Sequence, residues 1–187
     1  PEATAITLTW RLFGNAGVTR YVDLPITRQF TRCAPEVIYW PWRAAMFKTL
    51  YRNDQTYGKL GVHRPKAPRA EKVQAAHWFD GQGRALGPAF SRNRIFSDYG
   101  QPNHALVQLN HYPLGAMESF VLKADRGRAV PADDPLALDY WVERNFNSCD
   151  DSSIHALAPR SDKIVQQLKA AATLAAPHPP AGAWRHA

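Results

Sequence analysis

Within one stretch of this chain, Ala105 to Arg128, are a histidine and three cations whose spacing could support chemistry on a phosphate. The short apolar run Ala105 to Leu109 reads as a buried strand. It delivers Asn110, His111 and Tyr112 to its C-terminal edge before Pro113 turns the chain. Such edges are where open α/β sheets bind ligands. A neutral imidazole placed there can ligate a metal. Lys123, Arg126 and Arg128 follow, and cations of this kind suit an anionic oxygen. Each residue also has a plain structural reading. A histidine at a strand end can simply be hydrogen-bonded in place, and cations in the last turn of a helix stabilise its dipole.

The elements that would position these residues can be read outward from the stretch. From Leu114 the apolar residues recur at helical spacing (Leu114, Met117, Val121, widened by Phe120 and Leu122), and Gly127 is a natural stop. Ala5 to Phe13 alternates and is rich in β-formers, so it predicts a strand. Gly14-Asn15-Ala16-Gly17 ends it in a turn or flexible loop. Ile26 to Cys33 predicts a short helix or an extended arm, and a helix there would put Arg28 and Arg32 on one face. Phe47 to Arg52 predicts a strand broken by Asn53-Asp54, and Leu60 to Pro65 an extended segment. Asp80-Gly81 within Trp78 to Gly83 is a hairpin signal.

Between Leu86 and Pro102 the chain reads as a basic loop, with a short helix at Ile95 to Tyr99. Asp133-Asp134-Pro135 predicts a helix start. That helix runs to about Asn147, with Leu138, Trp141 and Val142 toward the core. Asp150, Asp151 and Ser152 begin a loop or a new cap, and Ser161 to Ala175 is an amphipathic helix. The Pro- and Ala-rich residues 176–187 read as a disordered tail after a single domain, 1–175.

Composition narrows the classes. The chain has 187 residues, with 45% hydrophobic residues and six Trp, which suits a globular domain with a real core. No run approaches the roughly 20 apolar residues of a membrane span. Cys33 and Cys149 have neither disulfide-scaffold nor metal-site spacing, which fits a reduced, cytoplasmic setting. The formal charge of +7 suits an anionic partner. The cations are interleaved with acids rather than blocked together, so a nucleic-acid groove is not favoured. The chain starts at Pro1 and enters a strand almost at once. The expectation is that it is part of a longer chain.

Trp10-Arg11-Leu12-Phe13-Gly14, Ile26 to Thr31, Lys48-Thr49-Leu50-Tyr51-Arg52 and Val62-His63-Arg64-Pro65 come in a particular order. They precede Leu109-Asn110-His111-Tyr112, Glu118-Ser119-Phe120, Lys123, Arg126-Gly127, Tyr140-Trp141 and Arg144-Asn145. This series, from about Ile6 to Ile154, resembles the C-terminal half of bacterial family 2-type glycosyltransferases and the related family 92 enzymes. The resemblance implies an α/β fold, the C-terminal part of a GT-A mixed sheet with flanking helices. It also implies transfer of a sugar from a nucleotide-diphosphate donor to a hydroxyl acceptor, such as a surface glycan, by the parent enzyme. The fragment alone would be inactive, and the parent cytoplasmic or associated with a membrane.

On this resemblance His111 is a ligand of a divalent metal, Mn²⁺ or Mg²⁺, that also needs the missing N-terminal half. Lys123, Arg126 and Arg128 are donor-diphosphate contacts, and Trp10, Arg11 and His63 lie at the sugar or acceptor pocket. No residue is identified as the catalytic base. The family's Asp-x-Asp is absent from the chain, and Gly115-Ala116 stands where a basic-Ser pair is often found. The alternatives to these roles are structural: Trp10 in the core, Arg11 paired with an acid, His63 in a loop, and Arg144-Asn145 bracing the loop near Asp150. The alternative for the whole chain is a non-catalytic polyanion- or nucleic-acid-binding domain.

Overall fold

A computed structural model describes residues 2–126 and 138–171. Along the chain the elements are β1 (Ala5–Leu12), α1 (Ile26–Gln29), β2 (Arg32–Cys33), β3 (Phe47–Tyr51), β4 (Tyr57–Lys59), β5 (Lys66–Pro68) and α2 (Ala70–Val73). There follow β6 (Trp78–Phe79), α3 (Pro88–Arg92), β7 (Leu109–His111), α4 (Met117–Arg126), α5 (Leu138–Val142), β8 (Cys149–Asp150) and α6 (Ala158–Ala170). The fold is α/β with a mixed sheet. The chain divides into two units, one built from residues 1–12 and 34–111, the other from 13–33 and 112–187. No described helix is long and apolar enough to cross a membrane.

The first unit is built on β1. It pairs antiparallel with β3 from Ala5↔Tyr51 to Thr9↔Phe47. Its two ends pair in parallel with β6 (Ala5↔Trp78) and with β7 (Trp10↔Leu109 to Leu12↔His111). The alternation expected for β1 is present, but the more deeply buried set is Ala5, Thr7, Thr9 and Arg11, while Ile6, Leu8 and Trp10 are half-buried. The face of β1 that carries Thr7, Thr9 and Arg11 is the packed one, so these polar groups are buried and need partners. Thr9 Oγ1 meets Ser97 Oγ at 2.6 Å. The apolar core nearby is Ala5, Phe47, Trp78 and Phe90, where Trp78 Nε1 donates to Tyr57 Oη, which donates in turn to the Ser91 carbonyl.

The hairpin signal at Asp80-Gly81 is met by a turn closed by Asp80 N to Arg84 O and a bridge between Phe79 and Ala85. Asp80 is buried, and its carboxylate accepts from the backbone of Gln82 and Arg84 and from the Arg84 guanidinium. The same guanidinium donates to Gln101 Oε1, the Pro102 carbonyl and Asn103 Oδ1. One ion pair therefore ties the turn to the segment that leads into β7.

In the second unit, β2 pairs antiparallel with β8. The expected flexible loop at Gly14 to Gly17 is instead clamped. Asn145 Oδ1 accepts from Asn15 N, Asn147 Oδ1 from Ala16 N, and the Phe146 carbonyl from Gly14 N. A Cβ on Gly14 would lie 2.4 Å from both Asn147 Oδ1 and Phe146 O.

Several expectations are corrected. The strand before His111 begins at Leu109; Ala105 and Leu106 are exposed, Leu106 by 75%. The helix between Leu86 and Pro102 is α3, which Pro88 opens as its first-turn proline; Ile95 to Tyr99 is not helical, and Phe96 there bridges to Met46. Helix α1 ends at Gln29, so Arg28 and Arg32 do not share a helical face; Arg28 pairs with Asp162 and Arg32 with Asp150. Met117 and Val121 are exposed, and Leu114 and Ala116, just before α4, are buried in their place. On α5, Leu138 and Val142 are exposed, and Trp141 packs edge-on against Phe120, centroids 4.9 Å apart. The final helix is Ala158–Ala170, and the expected helix start at Asp133 and the tail 176–187 lie outside the described residues.

Two outcomes follow for urea unfolding. Arg84→Ala leaves a buried carboxylate with backbone partners only. With the Arg84 side chain 38% exposed, the loss is expected to be about 2–3 kcal/mol, below that of a fully buried pair. Gly14→Ala drives a methyl into the Asn147 clamp and is expected to cost about 2 kcal/mol or more.

Candidate functional site

His111 ends β7 opposite Leu12, next to the Trp10↔Leu109 and Arg11↔Asn110 pairs. This register brings its imidazole onto the Trp10 indole, with centroids 4.1 Å apart and planes 21° from parallel. His63 reaches the same indole at 5.6 Å. Its loop is laced to β3: Lys48 Nζ donates to the Val62 carbonyl, Thr49 Oγ1 to the His63 carbonyl, and His63 Nδ1 lies 3.2 Å from the Phe47 carbonyl. Three residues singled out from the sequence, Trp10, His63 and His111, are thus together in the first unit. Burial holds the His63 pKa below its ordinary value of 6.5; the Phe47 carbonyl opposes the shift, and Lys48 and Lys66 add to it.

Arg11 lies on the other, buried face of β1. Its guanidinium is 3.8 Å from Glu36, the pairing with an acid that is the structural alternative for this residue. Arg11 Nε has no hydrogen-bond partner, and nor does either ring nitrogen of His104. The three nitrogens lie in a polar part of the unit, where Arg11 and Glu36 act electrostatically on His104. A cavity of about 30 Å³ lined by Glu36, Asp98, Asn103 and His104 opens there, room for about one water. Burial is the main cause that lowers the His104 pKa, with the Arg11 charge next; Glu36 and the nearby backbone of Trp10 and Thr9 oppose it. This polar group was missed from sequence. Its signal was present in the odd positions of β1, where Thr7, Thr9 and Arg11 stand in a strand flanked on both sides.

Lys123 and Arg126 belong to the second unit. Lys123 Nζ donates to the Pro113 carbonyl at 2.8 Å and to Tyr140 Oη at 3.3 Å. Arg126 is exposed at the end of α4, and Arg128 lies outside the described residues. Both described cations line a cavity of about 700 Å³ whose walls include Tyr21, Phe30, Tyr112 and Leu114. The opposite end of α4 is not open to an anion. Its first N–H groups donate to the Val18 and Thr19 carbonyls, and Glu118 accepts from Tyr21 N. Gly115, with φ +72°, makes the turn into this helix, which gives a backbone reason for glycine where a basic residue was expected.

Tyr112 packs against Phe13, centroids 4.7 Å apart. Arg144 stacks over Tyr140 and pairs with Glu143, while Asn145 braces the Asn15 loop. Among the described residues no group of three or more His, Cys, Asp or Glu side chains is placed to hold a metal ion. The sequence matches no family model, no curated protein and no solved structure.

The two half-buried imidazoles, both with lowered pKa values, make acid sensitivity testable. A folded-state pKa below 6.5 means the unfolded chain takes up protons that the fold resists. Stability is then complete above about pH 6.5 and is lost as pH falls from that value toward the lowered folded pKa values. His104→Gln is expected to flatten part of this loss in thermal melts between pH 7 and 5, and His63→Gln another part. An unchanged slope in both variants would assign the acid sensitivity to other groups.

Proposed function

We propose that this chain is the acceptor-side part of a GT-A glycosyltransferase that moves a sugar from a nucleotide-diphosphate donor to a hydroxyl acceptor, such as a glycan. The observation that carries the reading is the parallel pairing of β1 with β7. The first of the two most specific blocks of the resemblance, Trp10-Arg11-Leu12-Phe13-Gly14, and the His111-Tyr112 start of the second, which continues through Glu118-Ser119-Phe120 and Lys123 to Arg126-Gly127, are far apart in sequence. They are neighbours in the sheet, with Trp10 and His111 ring to ring. A strand edge bearing an indole and an imidazole, with a second imidazole supplied by the neighbouring loop, suits a polar ring with an apolar face.

Glycosyl transfer develops negative charge on the departing diphosphate while the sugar becomes cation-like. Fixed cations lower that barrier when they are held in place beforehand. Lys123 has this character. Two of its three ammonium donors are used by Pro113 and Tyr140, so its position costs little further entropy, and a third donor is left for an anionic oxygen. Arg126 adds a second positive charge to the same cavity. The described residues do not by themselves assemble a metal site, so no step is derived through a metal. A divalent ion in the parent enzyme would take His111 as one ligand and the others from outside this chain.

The test is titration calorimetry of the parent enzyme with a panel of nucleotide-diphosphate sugars and Mn²⁺. Donor binding is expected to be metal-dependent and to be lost in His111→Ala. Lys123→Ala is expected to weaken it by roughly 10-fold or more, as for a charge-assisted hydrogen bond. Binding unchanged in His111→Ala would remove that residue from the site. Failure of every donor to bind would overturn the transferase reading, and a steep salt dependence toward a polyanion would replace it.

A further inference from the structure

The two cysteines, separated by most of the chain, stand directly opposite one another across the β2–β8 ladder (Cys33↔Cys149, beside Arg32↔Asp150). The hydrogen bond from Asp151 N to Thr31 O flanks the Arg32–Asp150 position, which makes Cys33–Cys149 the closely hydrogen-bonded pair of the ladder. Its Cα atoms are then about 5.5 Å apart, inside the span a disulfide bridges, and directly opposed side chains share one face of the ladder. The register is pinned from the neighbouring position. Arg32 donates through Nε to the Asn147 carbonyl and through Nη1 to Asp150. Cys33 is buried and Cys149 is partly exposed, and neither is in a disulfide.

We propose that Cys33 and Cys149 are a dithiol–disulfide couple, oxidised by a small disulfide such as oxidised glutathione. The Cys149 thiolate, the more accessible of the two, attacks one sulfur of the oxidant. The oxidant's S–S bond breaks, a mixed disulfide forms on Cys149, and one glutathione thiolate leaves and is protonated. The Cys33 thiolate then attacks Cys149 Sγ and displaces the second glutathione thiolate. Two protein thiols are oxidised, one glutathione disulfide is reduced to two thiols, and one Sγ–Sγ bond forms. That bond joins directly the two segments of the second unit that carry Cys33 and Cys149, which are far apart along the chain. Oxidation therefore adds a covalent link to a ladder that is otherwise held by its hydrogen bonds and the Arg32–Asp150 pair. This inference rests on the strand register alone and stands whether or not the chain is part of a transferase.

The folded protein is equilibrated with glutathione redox buffers, and thiols are trapped by alkylation and mapped by non-reducing peptide mass spectrometry, with the same mixture in 8 M urea as reference. The expected result is an intramolecular Cys33–Cys149 peptide pair. Its effective concentration should exceed that in urea by roughly 10-fold or more, and Tm should rise by about 5–15 °C on oxidation. In Cys33→Ser the glutathione mixed disulfide should persist on Cys149, and in Cys149→Ser the Cys33 thiol should resist modification. If Cys33→Ser does not fold, the folded-against-urea comparison on the unaltered chain decides. Glutathionylated Cys149 with Cys33 still a thiol in the unaltered chain would overturn the proposal. So would disulfide formation no more favourable folded than in urea.

Discussion

The parallel ladder between the last three residues of β1 and β7 is the constraint on which the chemistry of this chain depends. Parallel strands need a long connection, and here it runs from Phe13 to Gln108. Nothing local in sequence holds Trp10 to His111. Only the register does, and a slip of one residue would turn the imidazole to the other face of the sheet. The chain passes to the second unit directly after both strands, at Phe13 and at Tyr112. The Asp80–Arg84 pair supports the ladder from behind, by fastening the approach to β7 through Gln101, Pro102 and Asn103.

The polar interior of the first unit is the counterpart of that constraint. A strand whose packed face carries Thr7, Thr9 and Arg11 cannot keep these side chains in water. Thr9 is satisfied by Ser97 and Arg11 is partly offset by Glu36, whereas Arg11 Nε and the His104 ring nitrogens are not satisfied by protein. Native folds carry few such groups. Their concentration beside a water-sized cavity makes this an electrostatically sensitive part of the unit.

The parts of the fold legible in the sequence are those whose stability is local. β1 shows its alternation, and the Asp80 turn follows from its own residues, since the Asp80 carboxylate binds the backbone of Gln82 and Arg84. The parts that were not legible depend on distant partners. Gly14 to Gly17 has the composition of a mobile loop and is held by Asn145 and Asn147, some 130 positions away. The apolar stripe Met117–Val121 reads as core-facing, yet α4 has no buried residue. Periodicity reports that a face is apolar and not what covers it. The candidate residues were legible as types, and Trp10, His63 and His111 do meet. The polar group around His104 was overlooked because its members come from three separate segments.

The clamp on the Asn15 loop has a consequence for the order in which the protein acquires its shape during synthesis. Residues 13–33 emerge early, but their partners at Asn145, Asn147 and Asp150 are among the last residues of the described chain to be made. β1 likewise waits for β7. Contacts of such high sequence separation carry a large loop-closure cost and form slowly. The nascent chain therefore emerges with Phe13, Phe30 and Cys33, which are buried in the fold, still uncovered, the condition in which incomplete chains are prone to aggregate.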